Sequence, residues 1–253
     1  MLTSVASLGA TEPEPAPLSL ATLMALRQTL PPRPLRVAEV SASNERPEPR
    51  GNIVLNQITN DYLEHISQFL ELPIQRVPYP TVDTAIAALT SGAIDLMPRA
   101  TEYERKQPGF IYSLPYLDNE PIIVGRIADK DLPPDLAGKR VLVPAYYVQA
   151  ETVAKAYPKA ELIVIKSIVE GLQRLADGEA DALIGDQLRS NFYMRSLANL
   201  KLQNKYVADL PAMGFSFAAR GHEENLVTLI NASLKTVTRE RKQEILQHWE
   251  RSP

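Results

Sequence analysis

The chain has 253 residues, enough for one large domain or for two lobes of roughly 100 residues each. Its 27 basic and 30 acidic residues give a net charge of −3, which implies no nucleic acid or other polyanion as a partner. Cysteine is absent, which excludes thiol catalysis, disulfides and cysteine-ligated metal, and no apolar run reaches the roughly 18 residues needed to cross a membrane.

The first 34 residues are predicted to form a linker and a short helix. Alternating Pro and Glu in residues 11–17 favour an extended, poorly packed segment. An apolar stripe predicts a helix within residues 18–30, which the prolines from Pro31 onwards stop. The first four residues lack the charged start and apolar core of a signal peptide, so we expect that any export signal was removed or never existed.

The next elements are predicted to alternate between strands and helices. Residues 35–40 read as the first strand, and the polar, Pro- and Gly-rich residues 41–52 as a loop at its carboxyl end. Glu45 in that loop could look into a cleft or only meet solvent. An amphipathic helix over 56–70, a strand over 74–78 and a helix over 81–91 follow.

The main candidate site lies in residues 94–116. A short apolar strand over 94–97 is predicted to break at Pro98 into a polar run. The exit loop of such a strand is a place where an α/β protein holds a small ligand. The polar and aromatic candidates in this stretch are Arg99, Thr101, Arg105 and Ser113.

Arginine in this loop has two interpretations. A guanidinium can fork onto a carboxylate or phosphate, with a geometry that lysine lacks. Arg99 and Arg105 could instead only solvate the loop or pair with Glu102 and Glu104. Ser113 could likewise only satisfy backbone groups in the turn before Pro115.

Residues 171–181 repeat the sequence pattern of residues 85–95. Each copy reads as a helix, a glycine that stops it and, three residues after the glycine, an aspartate that opens a strand. Two similar α/β units imply two lobes, and their facing strand ends imply a cleft between them. The glycine and aspartate pairs are Gly92 with Asp95 and Gly178 with Asp181.

The rest of the chain continues the alternation, which calls for mostly parallel sheets. Asp186 follows one of the strands, and it could either contact a ligand or cap the helix that begins at Gln187. The predicted strands lie at 121–125, 140–143, 161–165, 182–184 and 214–219, and the predicted helices at 148–157, 168–176, 187–197, 223–237 and 240–249.

These motifs, taken in order, resemble the bacterial extracellular solute-binding proteins of family 3, the polar amino-acid-binding group with a Venus flytrap fold. The resemblance spans about residues 35 to 250. It rests on Gly92-x-Ile94-Asp95, Thr101 with Glu104-Arg105, Ser113-x-Pro115-Tyr116, Leu136-x-Gly138-Lys139-x-Val141, Gly178-x-x-Asp181-Ala182 with Asp186, and Trp249 near the end.

The resemblance implies an α/β, two-lobed periplasmic-binding-protein fold of type II, with a mostly parallel sheet in each lobe. Residues 1–34 would be the N-terminal linker and short helix. Residues 35–124 plus 215–253 would form lobe 1, and residues 125–214 lobe 2.

A narrower resemblance is to the periplasmic flytrap domains of BvgS-type hybrid sensor histidine kinases. It is carried by the segments ITNDYL at 58–63, YLDNEP at 116–121 and AYPKA at 156–160. It implies a periplasmic sensor portion of an inner-membrane receptor, which would meet the membrane only through flanking segments and could form a homodimer in the full-length receptor. Phosphotransfer would belong to other parts of that receptor.

In the amino-acid binders, the arginine matching Arg105 clamps the ligand carboxylate, and the aspartate matching Asp186 holds its ammonium from the opposite lobe. The sequence departs from the pattern of the amino-acid binders at two places. Glu102 stands where they usually carry a Ser or Thr, and Pro144-Ala145-Tyr146-Tyr147 replaces their glycine-containing anion loop. The ligand could therefore be an amino acid, an aromatic or other carboxylate, or a larger organic anion. The ligand-binding candidates are Arg105, Asp186, Thr101, Tyr146, Tyr147, Ser113, Arg99 and Glu45.

Two other functions remain open at this point. One is a free solute-binding protein that delivers amino acids or related anions to an ABC importer. The other is a periplasmic enzyme on the same fold, although the three histidines fall on predicted helices or their edges, away from the motif loops. We expect no catalytic residue, no metal and no cofactor.

Overall fold

A computed structural model describes residues 18–40, 49–100, 108–129, 132–144, 150–212 and 214–250, with only the backbone at 49–54, 150, 151, 249 and 250. In these residues the strands are β1 Leu35–Val40, β2 Ile74–Tyr79, β3 Met97–Ala100, β4 Phe110–Tyr112, β5 Pro121–Arg126, β6 Arg140–Pro144, β7 Glu161–Ile165, β8 Ala182–Asp186, β9 Leu202–Val207 and β10 Ser216–Arg220. The helices are α1 Leu20–Arg27, α2 Pro49–Leu70, α3 Val82–Ser91, α4 Ala150–Ala156, α5 Ile168–Ala176, α6 Gln187–Ser196, α7 Glu224–Thr236 and α8 Arg239–Glu250.

The first group of strands surrounds β1 and β10. β1 pairs in parallel with β2, and β10 pairs antiparallel with both β3 and β4. A parallel bridge between Val37 and Leu96 connects the two sets, with the amide of Ala38 donating to the carbonyl of Leu96 at 3.0 Å. β1, β3 and β4 therefore run in the same direction.

The prediction that a strand over 94–97 ends at Pro98 is wrong. β3 begins at Met97 and passes through Pro98 to Ala100. Its ladder with β10 is irregular between Met97 and Ala100. Proline is tolerated at such a bulge because no regular ladder hydrogen bond is required of its nitrogen.

The second group is a five-stranded sheet in the order β7-β6-β8-β5-β9. β6 pairs in parallel with β7 and β8, whereas β5 runs antiparallel to β8 and β9. The sheets are thus mixed and not mostly parallel, because β5, β9 and β10 run against their neighbours. All of β5 belongs to this sheet, so the lobe division predicted after residue 124 falls inside a strand; the division itself stays a prediction.

The helices begin and end where local chemistry allows. Thr81 caps α3 by accepting from the amide of Thr84, and Gly92 ends the helix with a left-handed φ of 77° that glycine adopts without strain. α2 begins at Pro49, so the loop predicted over 41–52 is wrong at its end. Proline is compatible with the first helical turn, where its missing amide hydrogen has no partner to lose.

The core of the first group lies between α2, α7 and the strands. Fully buried residues there include Leu35, Tyr62, Ile66 and Phe217. In the second group, α5 packs a buried face against the sheet through Ile168, Leu172 and Leu175. Burial of apolar surface stabilises the folded state by roughly 25 cal/mol per Å². Among the described helices, none combines the length and apolarity needed to cross a membrane.

Candidate functional site

Two short segments cross between the two groups of strands. Residues 113–120 run from β4 to β5, and residues 208–215 from β9 to β10. The first residue of β5, Pro121, lies opposite Asp186, the last residue of β8. The first residue of β10, Ser216, lies opposite Ala100, the last residue of β3. Both segments therefore connect the edges at which the parallel strands of each group end, and this is where α/β proteins hold ligands.

The two crossing segments are paired with each other. Tyr116 N–H donates to the carbonyl of Phe215 at 2.9 Å, and Phe215 N–H donates to the carbonyl of Leu117 at 2.8 Å. A Cβ at Gly214 would lie 2.9 Å from the Pro115 ring, so the close approach of the segments requires glycine there. The connection therefore consists of two short segments that pair with each other, and a few loop residues of this kind are typical of hinges between domains.

Three of the predicted site residues lie at these carboxyl edges. Arg99 lies near the end of β3, Ser113 directly follows β4, and Asp186 ends β8. The remaining candidates fall in segments that follow β1, β3 and β6 along the chain, and they lie outside the described residues, so their roles stay predictions; they are Glu45, Thr101, Arg105, Tyr146 and Tyr147.

Ser113 is buried, and its hydroxyl is hydrogen-bonded to backbone groups. Its hydroxyl accepts from Phe217 N–H at 2.9 Å and donates to the carbonyl of Leu114 at 2.7 Å. These contacts match the predicted alternative of a serine that satisfies backbone groups next to Pro115. A ligand contact by Ser113 stays a prediction.

Arg99 has an unusual backbone. Its φ is 58°, in the left-handed region that a residue with a side chain adopts at a cost, and it lies in the irregular part of β3. Its backbone amide hydrogen-bonds to the buried phenol of Tyr116. Strained backbone and strand bulges of this kind concentrate near functional sites.

The phenol of Tyr116 belongs to a directed chain of hydrogen bonds. The hydroxyl of Thr59 donates its one hydrogen to the carbonyl of Leu55 at 2.8 Å. Tyr116 therefore donates to Thr59 Oγ1, 3.0 Å away, and accepts from the amide of Arg99. The chain connects the end of β3, the first crossing segment and α2, and sequence reasoning missed it because its members are far apart in sequence.

Aromatic packing fixes the same tyrosine. Its ring stacks on Phe217 with centroids 4.5 Å apart and contacts Tyr62 at 5.0 Å. Burial raises the pKa of Tyr116 to about 12. The phenol is therefore neutral at physiological pH and acts only through its hydrogen bonds.

On the opposite edge, Asp186 is fully buried and caps α6. Its Oδ1 accepts from Arg189 N–H at 2.9 Å and from Asn119 Nδ2 at 3.2 Å. Its Oδ2 accepts from Arg189 Nε at 2.7 Å. The predicted cap is confirmed, whereas the role of Asp186 toward a ligand is not tested by these contacts.

Asn119 fastens the crossing segment to the same helix end. Its Oδ1 accepts from Leu188 N–H at 3.1 Å, and the neighbouring carbonyl of Glu120 accepts from Gln187 N–H at 2.9 Å. Sequence reasoning missed Asn119 and Arg189; the three-residue spacing of Asp186 and Arg189 at a helix start is the one local signal that indicates their pairing.

The repeated aspartates lie away from this region and clamp the start of a strand in each group. Asp95 Oδ2 accepts from the backbone amide of Arg36 at 2.9 Å, and Asp181 Oδ2 accepts from that of Arg140 at 2.9 Å. Arg33 also donates to Asp95 from both terminal nitrogens, at 2.6 and 2.9 Å. Burial opposes ionisation of Asp95, but the hydrogen bonds from Arg33 and Arg36 hold its pKa far below the ordinary value.

Other side chains offer little for metal or acid–base chemistry. His65 Nε2 contacts the carbonyl of Ser233 at 3.1 Å and Thr236 Oγ1 at 2.9 Å, between α2 and α7. His222 is exposed. Within the described ranges, no group of three or more His, Cys, Asp or Glu side chains could hold a metal ion.

No family profile matches the chain, but solved structures do. The crystal structure of the B. pertussis BvgS periplasmic domain matches 98% of the present chain. The match covers 48% of the BvgS chain in that structure, with a TM-score of 0.78 and 26% sequence identity. The GluR0 ligand-binding core in complex with L-glutamate matches over 85% of this chain and 97% of that chain, with a TM-score of 0.66 and 16% identity. The chain therefore has the two-lobed Venus flytrap fold of the family 3 extracellular solute-binding proteins, as its motifs predict.

The sequence comparison places the chain more narrowly. The virulence sensor protein BvgS of Bordetella bronchiseptica is 31% identical over 193 residues, or 76% of this chain. The match covers 16% of the length of BvgS, so the chain corresponds to one domain of such a protein. It is a periplasmic flytrap domain similar to that of BvgS, and the proteins it matches carry the names of sensor and solute-binding proteins.

Proposed function

We propose that this domain is the ligand-sensing part of a two-component sensor histidine kinase, and that it binds a small carboxylate-bearing solute between its lobes. The observation that carries the proposal is the pair of carboxyl edges joined by two paired crossing segments. One edge carries Arg99, and Arg105 follows that edge along the chain; the other edge carries the start of α6. A solute that contacts both edges favours the closed form, because it interacts fully only when they approach.

Closure would be transmitted along the chain. The second crossing segment leads through β10 into α7 and α8, the last described helix. α2 packs against both α7 and α8, so movement at the cleft reaches the C-terminal helix through a continuous packed body. In a receptor of the BvgS type, a membrane helix and cytoplasmic kinase modules would receive that movement.

The similarity to BvgS favours the sensor over a free binding protein for an importer. The 31% identity extends over three quarters of this chain, whereas the GluR0 core, bound to L-glutamate, shares the fold at 16% identity. The small-molecule class is supported by that fold, in which an amino acid is bound by GluR0. The kinase modules and the homodimer belong to the proposal for the full-length receptor.

The proposal is tested by a thermal-shift screen of the purified domain against amino acids, dicarboxylates and aromatic acids, followed by calorimetry on the hits. We expect at least one carboxylate to raise the Tm, and Arg105→Ala to abolish that rise while the unliganded Tm stays close to wild type. The matched control is Arg241→Ala on α8, where the arginine is exposed and paired with Glu244. An unchanged shift in Arg105→Ala would refute the clamp.

A further inference from the structure

The carboxylate of Asp186 already accepts three hydrogen bonds from Arg189 and Asn119. Its side chain is 0% exposed. Two donors reach Oδ1 (the amides of Arg189 and Asn119), and a third, Arg189 Nε, reaches Oδ2 at 2.7 Å. Charge-assisted bonds of this length are the strong ones, and the start of a helix adds favourable partial charge to the same oxygens.

The pairing also cancels the charge that an ammonium group would need. Asp186 contributes −1 and Arg189 contributes +1, and they are in direct contact. An incoming ammonium would have to displace Nε of Arg189, whose side chain is only 13% exposed and would lose its buried partner. Uncoupling a buried ion pair is costly because the released charge is not rehydrated.

The other carboxyl edge carries the cationic side chain of Arg99. Arg99 stands at the end of β3 with its guanidinium close enough to Tyr116 to act on the phenol electrostatically. One edge thus carries an arginine, and the other carries an Asp186–Arg189 pair whose charges cancel. That arrangement suits a ligand that carries negative charge and lacks a positive one.

We propose that the cleft takes an organic anion without an ammonium group, and that the Asp186–Arg189 pair sets this specificity by excluding α-amino acids. The proposal rests on the proposed function, since it assigns a chemical class to the solute of the same cleft. Asp186 then serves as an internal counter-ion for Arg189 and as the cap of α6, and it does not act as an ammonium ligand.

Matched pairs that differ only in the amino group test the specificity on the wild-type domain. Calorimetry and thermal shift would compare glutarate with L-glutamate, succinate with L-aspartate, and 3-phenylpropionate with L-phenylalanine. We expect the desamino member of at least one pair to bind at least about tenfold more tightly, because the amino acid brings a positive charge and Asp186 is already paired with Arg189. Equal or tighter binding of the amino acid would overturn the specificity while the binding function stands.

Binding of neither member of any pair would overturn both proposals, so the two failures are distinguishable. A pair of variants then locates the cause. Arg189→Met leaves Asp186 without its counter-ion and is expected to narrow the preference for the desamino acid by about tenfold or to reverse it. The control Asp186→Asn/Arg189→Met keeps a capping side chain but no charge, and it should not gain amino-acid binding. If Arg189→Met fails to fold, the wild-type pairs still decide.

Discussion

Replacing each of the repeated aspartates by alanine should have very different costs. Asp95 and Asp181 hold equivalent backbone positions, because each accepts from an arginine amide at 2.9 Å at the start of a strand, β1 in the first group and β6 in the second. They differ in burial and in partners. The side chain of Asp95 is 4% exposed, whereas that of Asp181 is 27% exposed.

The magnitudes follow from these contacts. Asp95→Ala removes the partner of Arg33 and Arg36, which donate to the carboxylate at distances from 2.6 to 3.3 Å. Breaking such a buried pair costs about 3–5 kcal/mol, and because Arg33 is 40% exposed we take the lower end, about 3 kcal/mol. Asp181→Ala loses one amide bond and two side-chain contacts at 3.3 Å to a half-exposed Arg140, for about 1 kcal/mol.

Urea unfolding followed by circular dichroism measures both costs, and the expected difference is about 2 kcal/mol. Urea is preferred to guanidinium because the salt would screen the ion pairs. If the domain unfolds in more than one transition, each variant should move the transition of its own lobe. Equal costs for the two variants would refute the reasoning from burial, since the backbone contact they share would then account for the effect.

A pH series on Asp95→Asn gives an independent check. The hydrogen bonds from Arg33 and Arg36 outweigh the effect of burial and lower the pKa of Asp95 from its ordinary value of 3.8. Between the two values the unfolded chain binds the proton and the folded one does not, so stability falls as the pH is lowered. The advantage of the wild type over Asp95→Asn should be constant above about pH 5 and shrink below about pH 4.

The remaining predictions concern the crossing segments. Tyr116→Phe leaves the amide of Arg99 without its acceptor and should lower the free energy of unfolding by about 1–2 kcal/mol. Thr59→Val should lower it clearly less in the Tyr116→Phe background than in the wild type. Equal losses in both backgrounds, measured by chemical denaturation, would show that the hydrogen bonds are not coupled. Gly214→Ala forces a methyl group to within 2.9 Å of Pro115 and should destabilise by about 1–3 kcal/mol; an unchanged unfolding midpoint would show that the two segments separate freely.

Local signals were sufficient for much of the fold. The strand Glu161–Ile165 and the helix Ile168–Ala176 agree with the predicted bounds. Ser167 caps the start of the helix, and Gly178 follows its end. β9 was missed because its side chains are mostly exposed and polar, as the edge of a sheet allows. The antiparallel course of β5 depends on where the chain crosses between sheets, which no local pattern encodes.

The site could be predicted only in part, because its geometry depends on contacts between distant residues. Asp186 as the cap of α6 is one of its two predicted roles, because aspartate directly before a helix readily caps it, and the structure confirms the cap. Asn119 reaches Asp186 across 67 positions, and Thr59 reaches Tyr116 across 57. The resemblance to solute-binding proteins indicates Asp186 as a ligand contact, which stays a prediction, and it gives no sign of the arginine that donates to its carboxylate.

The repeat and the site obey different constraints. In both groups an arginine donates its amide and its Nε to one aspartate oxygen and a terminal nitrogen to a glycine carbonyl, at Gly92 and Gly178. These contacts lie at the amino ends of β1 and β6, away from the edges that the crossing segments join. The shared motif therefore supports the fold of each lobe and says nothing about the solute. What the domain recognises depends on residues that the two halves do not share, and among the described residues the Asp186–Arg189 pair is one such feature.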